Sequence, residues 1–309
     1  MPVLLVQAVA ALNVRADGAY LDATFGRGGH AQAILEKLIA GGRLLCLDRD
    51  AEAVAAARSR YGGDARVAIF LAPFSALGVC AERVRPGLRL DGILFDLGVS
   101  SPQLDDAARG FSFAQDGPLD MRMGGAHGRS AADVVNTAPA NELARIFREF
   151  GEERFALRIA RAIVADRKTT PFLRTLQLAQ MIARVCPTRE RNKHPATRVF
   201  QALRIYVNDE LGELHAGLAA AFERLAPRGR LAVISFHSLE DRIVKQFMRR
   251  HSLTDPVYAG LPQIPPQARP QLRLVGKSIV PTAAEMQSNP RARSARLRVA
   301  ERLAEGLAA

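Results

Sequence analysis

Short apolar runs alternate with helical stretches through the first hundred residues. Residues 19–25 read as a strand closed by Gly26, and residues 30–40 place Ile34, Leu35 and Leu38 at helical spacing. A second strand covers 43–47 and ends at Asp48, an Ala-rich helix covers 51–60, and further strands cover 66–71 and 91–97. These strands are continuous apolar runs rather than alternating ones, as a sheet covered by helices on both faces requires. Strand–helix alternation with short connections predicts an α/β fold built on a parallel, doubly wound sheet.

The pattern changes after Leu104, and no segment up to Asn192 has strand character. Residues 110–128, rich in Gly, Asp and Met, read as an ordered loop. Helices are predicted over 141–150, 153–166 and 175–185, and a long one from about Pro195 to Leu225; strand character returns at 230–236. A stretch of about a hundred helical residues is too long for a crossover between two strands of one sheet. It predicts an inserted all-helical domain at 106–214, with the sheet domain made of 1–105 and 215–309. Residues 255–270 hold five prolines and read as an extended loop. Residues 293–302 alternate, with Ser294, Arg296 and Arg298 on one face and Ala295, Leu297 and Val299 on the other, which predicts a half-exposed strand with an arginine-lined face.

The chemistry concentrates at predicted strand ends. Asp22-Ala-Thr-Phe-Gly26-Arg-Gly28-Gly29-His30 joins the first strand to the first helix. Glycines there let the backbone turn tightly and approach a ligand with no Cβ in the way. Asp48 ends the second strand, where a carboxylate can accept both hydroxyls of a ribose. Together they predict a nucleoside-containing cofactor at the carboxyl edge of the sheet. Gly26-x-Gly28-x-x-Ala31 also fits the loose dinucleotide fingerprint, which leaves a nicotinamide-dependent reductase open. Asp22, inside the strand, favours S-adenosylmethionine, whose sulfonium and ammonium groups attract carboxylates; its plainer reading is a turn cap.

The fourth strand ends in Asp96-Leu-Gly-Val-Ser100-Ser101-Pro-Gln103, at the position that faces the reacting centre in open α/β sheets. Asp96 and Ser101 are therefore candidate catalytic groups. The next strand ends in Ser235-Phe-His237-Ser-Leu-Glu240, and His237 is a third candidate, weighed against the commoner role of a structural hydrogen-bonder. In the insert, Thr197, Gln201, Arg204 and Asn208 share one helix face, apart from Val199, Leu203, Tyr206 and Leu211. With Arg191-Asn-Lys193-His-Pro195 just before it, that face reads as an anion-binding surface rather than a merely solvated one.

Composition narrows the class. The chain has 309 residues, 48% hydrophobic and 24% charged, which excludes disorder and fibrous repeats. No run of about 18 apolar residues occurs, so no membrane span is expected. Cys46, Cys80 and Cys186 have no metal-ligand spacing and read as thiols in a reducing compartment, and no metal site is expected. The start, Met-Pro-Val-Leu-Leu, has no charged n-region or cleavage site, so a cytoplasmic protein is expected. The net charge of +12 implies a polyanionic partner. Its distribution is uneven: residues 1–105 are neutral, 106–215 carry +4 and 216–309 carry +8. A neutral front and a basic remainder suit a small-ligand site joined to a nucleic-acid surface. The ratio of 38 Arg to 5 Lys reads as codon bias rather than function.

Taken in order, the motifs resemble a known family. They are Asp22-Ala-Thr-Phe-Gly-Arg-Gly-Gly-His30, Leu47-Asp-Arg-Asp50, Asp96-Leu-Gly-Val-Ser-Ser-Pro-Gln-Leu-Asp-Asp106, Arg109-Gly-Phe-Ser-Phe113 and Asp116-Gly-Pro-Leu-Asp-Met-Arg122. They continue with Asn192-Lys-His-Pro-Ala-Thr-Arg198, Phe200-Gln-Ala-Leu-Arg-Ile205, Ser235-Phe-His-Ser-Leu-Glu-Asp-Arg242 and Asn289-Pro-Arg-Ala-Arg-Ser-Ala-Arg-Leu-Arg298. Spanning nearly the whole chain, they resemble the RsmH (MraW) family of ribosomal RNA small-subunit methyltransferases. The resemblance implies a class I, Rossmann-like methyltransferase sheet with a helical insert. It implies methyl transfer from S-adenosylmethionine to the exocyclic N4 of a cytosine in the decoding region of 16S ribosomal RNA in the small subunit. It places cofactor contacts at Gly28, Gly29, His30, Asp48, Phe74, Asp96 and Gln103. The expected RNA contacts are Lys193, Arg198, Gln201, Arg204 and Asn208 in the insert and Arg291, Arg293, Arg296 and Arg298 in the tail. Many amino-methyltransferases carry Asp/Asn/Ser-Pro-Pro-aromatic after the fourth strand; this chain has one proline, and Gln103 replaces the aromatic, so stacking on the target base must come from elsewhere or be absent. A non-catalytic ribosomal RNA-binding or assembly factor is the other alternative, and a homodimer is left open.

Overall fold

A computed structural model of the chain describes residues 2–125, 128–186, 194–254, 256–258, 263–265 and 268–304. The chain separates into two compact units, Met1–Gly98 with Gly212–Ala309, and Val99–Leu211. The first opens with α1 (Leu5–Leu12), β1 (Ala19–Asp22), α2 (Gly29–Leu35), β2 (Arg43–Asp48), α3 (Ala51–Tyr61), β3 (Val67–Leu71), α4 (Leu77–Val84) and β4 (Leu90–Asp96). The insertion carries α5 (Ser101–Asp105), α6 (Ala131–Thr137), α7 (Ala140–Gly151), α8 (Ala156–Asp166), α9 (Thr175–Val185) and α10 (Thr197–Asn208). There follow α11 (Glu210–Arg224), β5 (Leu225–Ser235), α12 (Ser238–His251), β6 (Leu272–Leu274), α13 (Ala283–Ser288) and β7 (Arg296–Arg302).

The seven strands lie in the order β3-β2-β1-β4-β5-β7-β6. β1 to β5 pair in parallel, and β7 runs antiparallel to both β5 and β6. Successive side chains on a strand point to opposite faces, so an apolar run feeds two cores at once. Tyr20, Leu44 and Leu94 enter one core with Leu4, Leu12 and Ile34. Their neighbours Leu21, Leu45, Ile93 and Phe95 enter the other with Leu77, Leu218 and Val233. This two-sided burial is why the strands read as unbroken apolar stretches. The register aligns Asp22 with Cys46 and Leu94, and Asp96 with Ile234, so the parallel strands end together along one edge.

Several elements differ from the sequence reading. β1 stops at Asp22; beyond it Ala23 N–H donates to Leu94 O and Phe25 N–H to Leu47 O as the chain leaves the sheet. The long helix expected from Pro195 to Leu225 is two helices. Asp209 takes a left-handed conformation (φ 46°) and its N–H donates back to Ile205 and Tyr206, closing α10. An aspartate at such a position reads as an ordinary helical residue in a periodicity argument, although Asp tolerates that conformation better than most residues. The tail strand starts at Arg296, after a 3-10 turn over Pro290–Ser294. The proline-rich stretch has a helical turn at Pro256–Tyr258 within its described part. Helices α1, α4, α5, α6, α12 and α13 and strand β6 are not legible in the sequence pattern.

The insertion has its own core, in which Phe147 and Ile146 of α7, Ile159 and Ile163 of α8, Ile182 of α9 and Leu203 of α10 are fully buried. Gly151 lets α7 approach α10: a Cβ there would lie 2.5 Å from the backbone oxygen of Arg198. Backbone cannot yield as a side chain can, so Gly151→Ala should destabilise the protein by about 1–3 kcal/mol. Gly41→Ala, with nothing within 4 Å of its Cβ position, should stay within about 0.5 kcal/mol. Urea midpoints measured side by side check this, and equal midpoints would show that the helices separate without penalty.

Candidate active site

Three carboxylates meet the carboxyl edge of the sheet, one from each of β1, β2 and β4. Between β1 and α2 the chain must turn sharply, and Gly26 (φ 53°) and Gly28 (φ 73°) both adopt the left-handed conformation that favours glycine. A Cβ on Gly28 would lie 2.5 Å from the Phe25 ring, and one on Gly29 would lie 2.1 Å from Pro2 Cγ. Asp48 clamps this turn from β2: its Oδ2 accepts the Gly26 N–H (2.8 Å) and its Oδ1 accepts the Asp50 N–H (2.9 Å). Thr24 ties the turn to β4, its Oγ1 accepting the N–H of Asp96 (2.6 Å).

Asp22 is 1% exposed. Its Oδ1 accepts the Thr24 N–H (3.1 Å), and its buried Oδ2 has no hydrogen-bond partner. The Asp96 side chain keeps part of its surface open, yet its Oδ1 is buried and without a partner as well. Its Oδ2 lies 3.6 Å from His30 Nδ1, while His30 Nε2 contacts Val3 O at 3.1 Å. Burial raises the Asp22 pKa to about 7, partly offset by the Thr24 N–H and reinforced by the negative charge of Asp48. Burial also raises Asp96 well above the carboxylate range, and Asp22 and Glu240 add to the rise. Asp48 is raised by burial against the pull of the Asp50 and Gly26 N–H groups. Burial lowers His30 to about 4. At neutral pH the His30 ring is therefore uncharged, and its contact with Asp96 is not an ion pair. Among the described residues, Asp22 and Asp96 each present a buried acceptor oxygen without a partner, an arrangement that costs energy until a positive charge arrives. That donor set fits the sulfonium and ammonium groups of S-adenosylmethionine.

The remaining expected residues are distributed as follows. Phe74 opens the 3-10 turn after β3, half-buried, with its ring edge-to-face on Phe95 (centroids 5.5 Å apart). His237 follows the end of β5 as the N-cap of α12; its Nδ1 accepts the Glu240 N–H (3.4 Å) and its Nε2 lies 3.2 Å from Glu240 Oε1. Ser101 and Gln103 belong to the insertion unit. Ser101 is exposed at the start of α5, and Gln103 is buried with its Oε1 accepting the Ser100 N–H (2.9 Å).

Of the expected RNA contacts in the insert, Gln201 donates to Phe150 O (3.2 Å), and Arg204 makes a two-pronged pair with Glu210 (2.8 Å each). Asn208 is 3% exposed; it donates to Met121 O (2.7 Å) and accepts the Met123 N–H (2.9 Å). Arg198 is half-exposed on α10, and Lys193 lies outside the described residues. In the tail, Arg291 and Arg293 are exposed on either side of buried Ala292. Arg296 donates to Ser278 Oγ (2.7 Å), and Arg298 grips Asp241 with both prongs (2.7 and 2.9 Å).

Sequence reasoning missed two residues that shape the site. Thr24, inside the glycine motif, couples the turn to Asp96. Glu240 is 2% exposed and its Oε2 accepts the Phe236 N–H (2.7 Å). Its position three residues after His237 is the spacing of a capping box, a signal present in the sequence.

The protonation of Asp22 has a measurable consequence. Between its ordinary pKa and about 7, the folded protein holds a proton that the unfolded chain has released. The stability contributed by Asp22 is thus full at low pH and is lost as pH rises through about 7. Wild type should lose more stability than Asp22→Asn between about pH 5 and pH 8, measured by urea unfolding without cofactor. Parallel profiles would show that Asp22 is ionised throughout.

Residues 1–303 match the sequence profile of the MraW methylase family. A protein of Shewanella loihica named ribosomal RNA small subunit methyltransferase H is 53% identical over 305 residues, covering 98% of this chain and 97% of its own. Proteins of the same name from Shewanella amazonensis and Shewanella woodyi are 52% identical over the same coverage. Identity of that order, sustained along both chains, makes the relationship one of descent, and the chain belongs to the MraW methylase family of S-adenosylmethionine-dependent methyltransferases.

Proposed function

We propose that the protein methylates the exocyclic N4 of a cytosine in the decoding region of 16S ribosomal RNA, in the small ribosomal subunit and in the cytoplasm. The observation that carries this reading is Asp96, which ends the strand central to the site with a buried acceptor oxygen that nothing satisfies. The motif series and the printed name of the relatives support the RNA substrate. Family membership removes the reductase reading: the loose glycine pattern here serves a methyl donor.

Bound S-adenosylmethionine supplies an electrophilic methyl carbon. Asp22 and Asp96 bind its positive end, and the nearby positive charge draws both carboxyls into the ionised form. Asp48, whose two oxygens already accept the Gly26 and Asp50 N–H groups, is the proposed partner of the ribose hydroxyls. Phe74 offers its ring to the adenine, and Gly28, Gly29, His30 and Gln103 are the other proposed cofactor contacts. A cytosine amine is a poor nucleophile because its lone pair is delocalised into the ring. Asp96 Oδ1 accepts a hydrogen of that amine, localising the lone pair toward the methyl carbon, and can take the proton that N4 releases. Ser101 is the proposed neighbour of the amine. His237, through its capping bonds, positions the start of α12. The target base must leave its stack to reach these groups. The insertion is the proposed RNA-recognition unit, and Arg198, Arg291 and Arg293 are the proposed contacts that reach furthest into solvent.

Small subunits from cells lacking the enzyme, incubated with labelled S-adenosylmethionine, should gain N4-methylcytosine. Asp96→Ala should lower the rate by at least about 100-fold while RNA affinity is kept, which separates the enzyme from a non-catalytic assembly factor. Label appearing at another atom, or none, would overturn the proposal.

A further inference from the structure

The sheet has a second functional-looking feature, at the edge opposite the carboxylates. β5 and β7 are antiparallel, and Arg230 pairs with Glu301 where β5 begins its continuous pairing with β4. A groove of about 870 Å³ opens there, bounded by β6, the end of β7 and the segment after α12. From Arg230 to Ser235, β5 runs about 16 Å, which separates the groove from the cofactor edge.

Its walls combine two chemistries. Leu253 and Leu274 line it with 52% and 48% of their surface exposed. Around them stand Arg228, Arg273 and Arg302, with Glu301 the acidic member of the lining. Glu301 is already shared between Arg230 (3.1 Å) and Arg273 (2.7 Å), so the groove has a positive excess. Arg302 lies flat on Phe222, its guanidinium carbon 4.0 Å from the ring centroid, and Phe222 in turn stacks on His251 at 4.1 Å. Between Leu225 and Arg230 the chain loops out of register with β4, and Arg228 sits in that bulge in the left-handed conformation (φ 65°). That backbone favours glycine, yet an arginine occupies it, and among the described residues it makes no hydrogen bond or ion pair.

We propose that this groove is a second contact for single-stranded RNA, remote from the methyl-transfer site, in which Leu253 and Leu274 receive an unpaired base and Arg228 and Arg273 bind the flanking phosphates. An apolar wall rimmed by arginines matches a nucleotide, which is an aromatic ring joined to an anion. The inference rests on the proposed RNA substrate and deepens it. Gripping RNA well away from the reacting base would hold a long substrate while that base is extruded, and it gives the positive excess of the carboxyl-terminal third a purpose.

The test uses the full chain and a fluorescein-labelled twelve-residue oligouridylate, followed by anisotropy across a salt series. Arg228→Ala combined with Arg273→Ala should weaken binding about tenfold and lower the salt slope by about 1.4, the value for two lost phosphate contacts on a single strand. Arg58→Ala combined with Arg85→Ala removes the same charge elsewhere and should leave the slope unchanged. Stabilisation by S-adenosylmethionine should match wild type in both, which shows that the cofactor edge is intact. The proposal is overturned if wild type does not bind the oligonucleotide, if both double variants weaken equally, or if uridine monophosphate binds as tightly as the oligonucleotide, which would make the groove a small-molecule site. Methylation of small subunits by wild type tests the substrate reading separately: no methylation, with oligonucleotide loss confined to the groove variant, keeps the groove and removes the ribosomal assignment.

Discussion

Two carboxylates at the ends of neighbouring strands, Asp22 and Asp96, each with a buried oxygen that has no hydrogen-bond partner among the described residues, are the constraint on which the site depends. Asp22 also raises the energy of ionising Asp96. A fold selected for stability alone would place an apolar residue or a donor there. Keeping the acids leaves a site whose missing component is positive charge, and in the proposed function S-adenosylmethionine brings it on the group that reacts. Binding and activation thus draw on one electrostatic deficit.

The sheet makes that deficit tolerable. Apolar side chains cover both faces of β1, β2 and β4, so the strand ends are anchored in two packed cores. Thr24 and Asp48 then join the glycine turn to the adjacent strands through backbone N–H groups. The turn is shaped by hydrogen bonds to the strand-end residues, and it has no room for side chains at its glycines: a Cβ at Gly28 or Gly29 would strike Phe25 or Pro2.

The arginines divide into two populations. Arg66, Arg122, Arg204 and Arg298 are half-buried and paired with nearby carboxylates, so their charge serves the fold. Others, such as Arg228 and Arg293, stand in solvent. Net charge counts both alike, and a functional reading of +12 applies to the second group. Arg204 and Asn208 show how the division arises. They share a polar stripe on α10, but the stripe meets polar backbone of its own unit: Asn208 closes the chain at Met121 and Met123, and Arg204 holds Glu210.

The pattern of apolar runs, glycines and acids already carries the strand–helix order of the front half, the two-sided burial of its strands, and the placement of Asp48 and Asp96 at strand ends. Those features are local: continuous apolar runs, glycines at a turn and acids at fixed positions relative to both. The motifs also carried the family. Only the tertiary structure decided that one long amphipathic stretch breaks at Asp209, that Asn208 faces inward, that Arg298 is held by Asp241 and that Asp22 keeps its proton near neutrality. Apart from the break at Asp209, which its own left-handed backbone makes, each depends on a group far away in the chain. Asn208 bonds residues more than eighty positions earlier, and the Asp22 proton is held by burial that neighbouring strands supply. Periodicity records which side of an element is apolar. It carries no record of which polar group the other side will meet, because that partner is chosen when the elements pack.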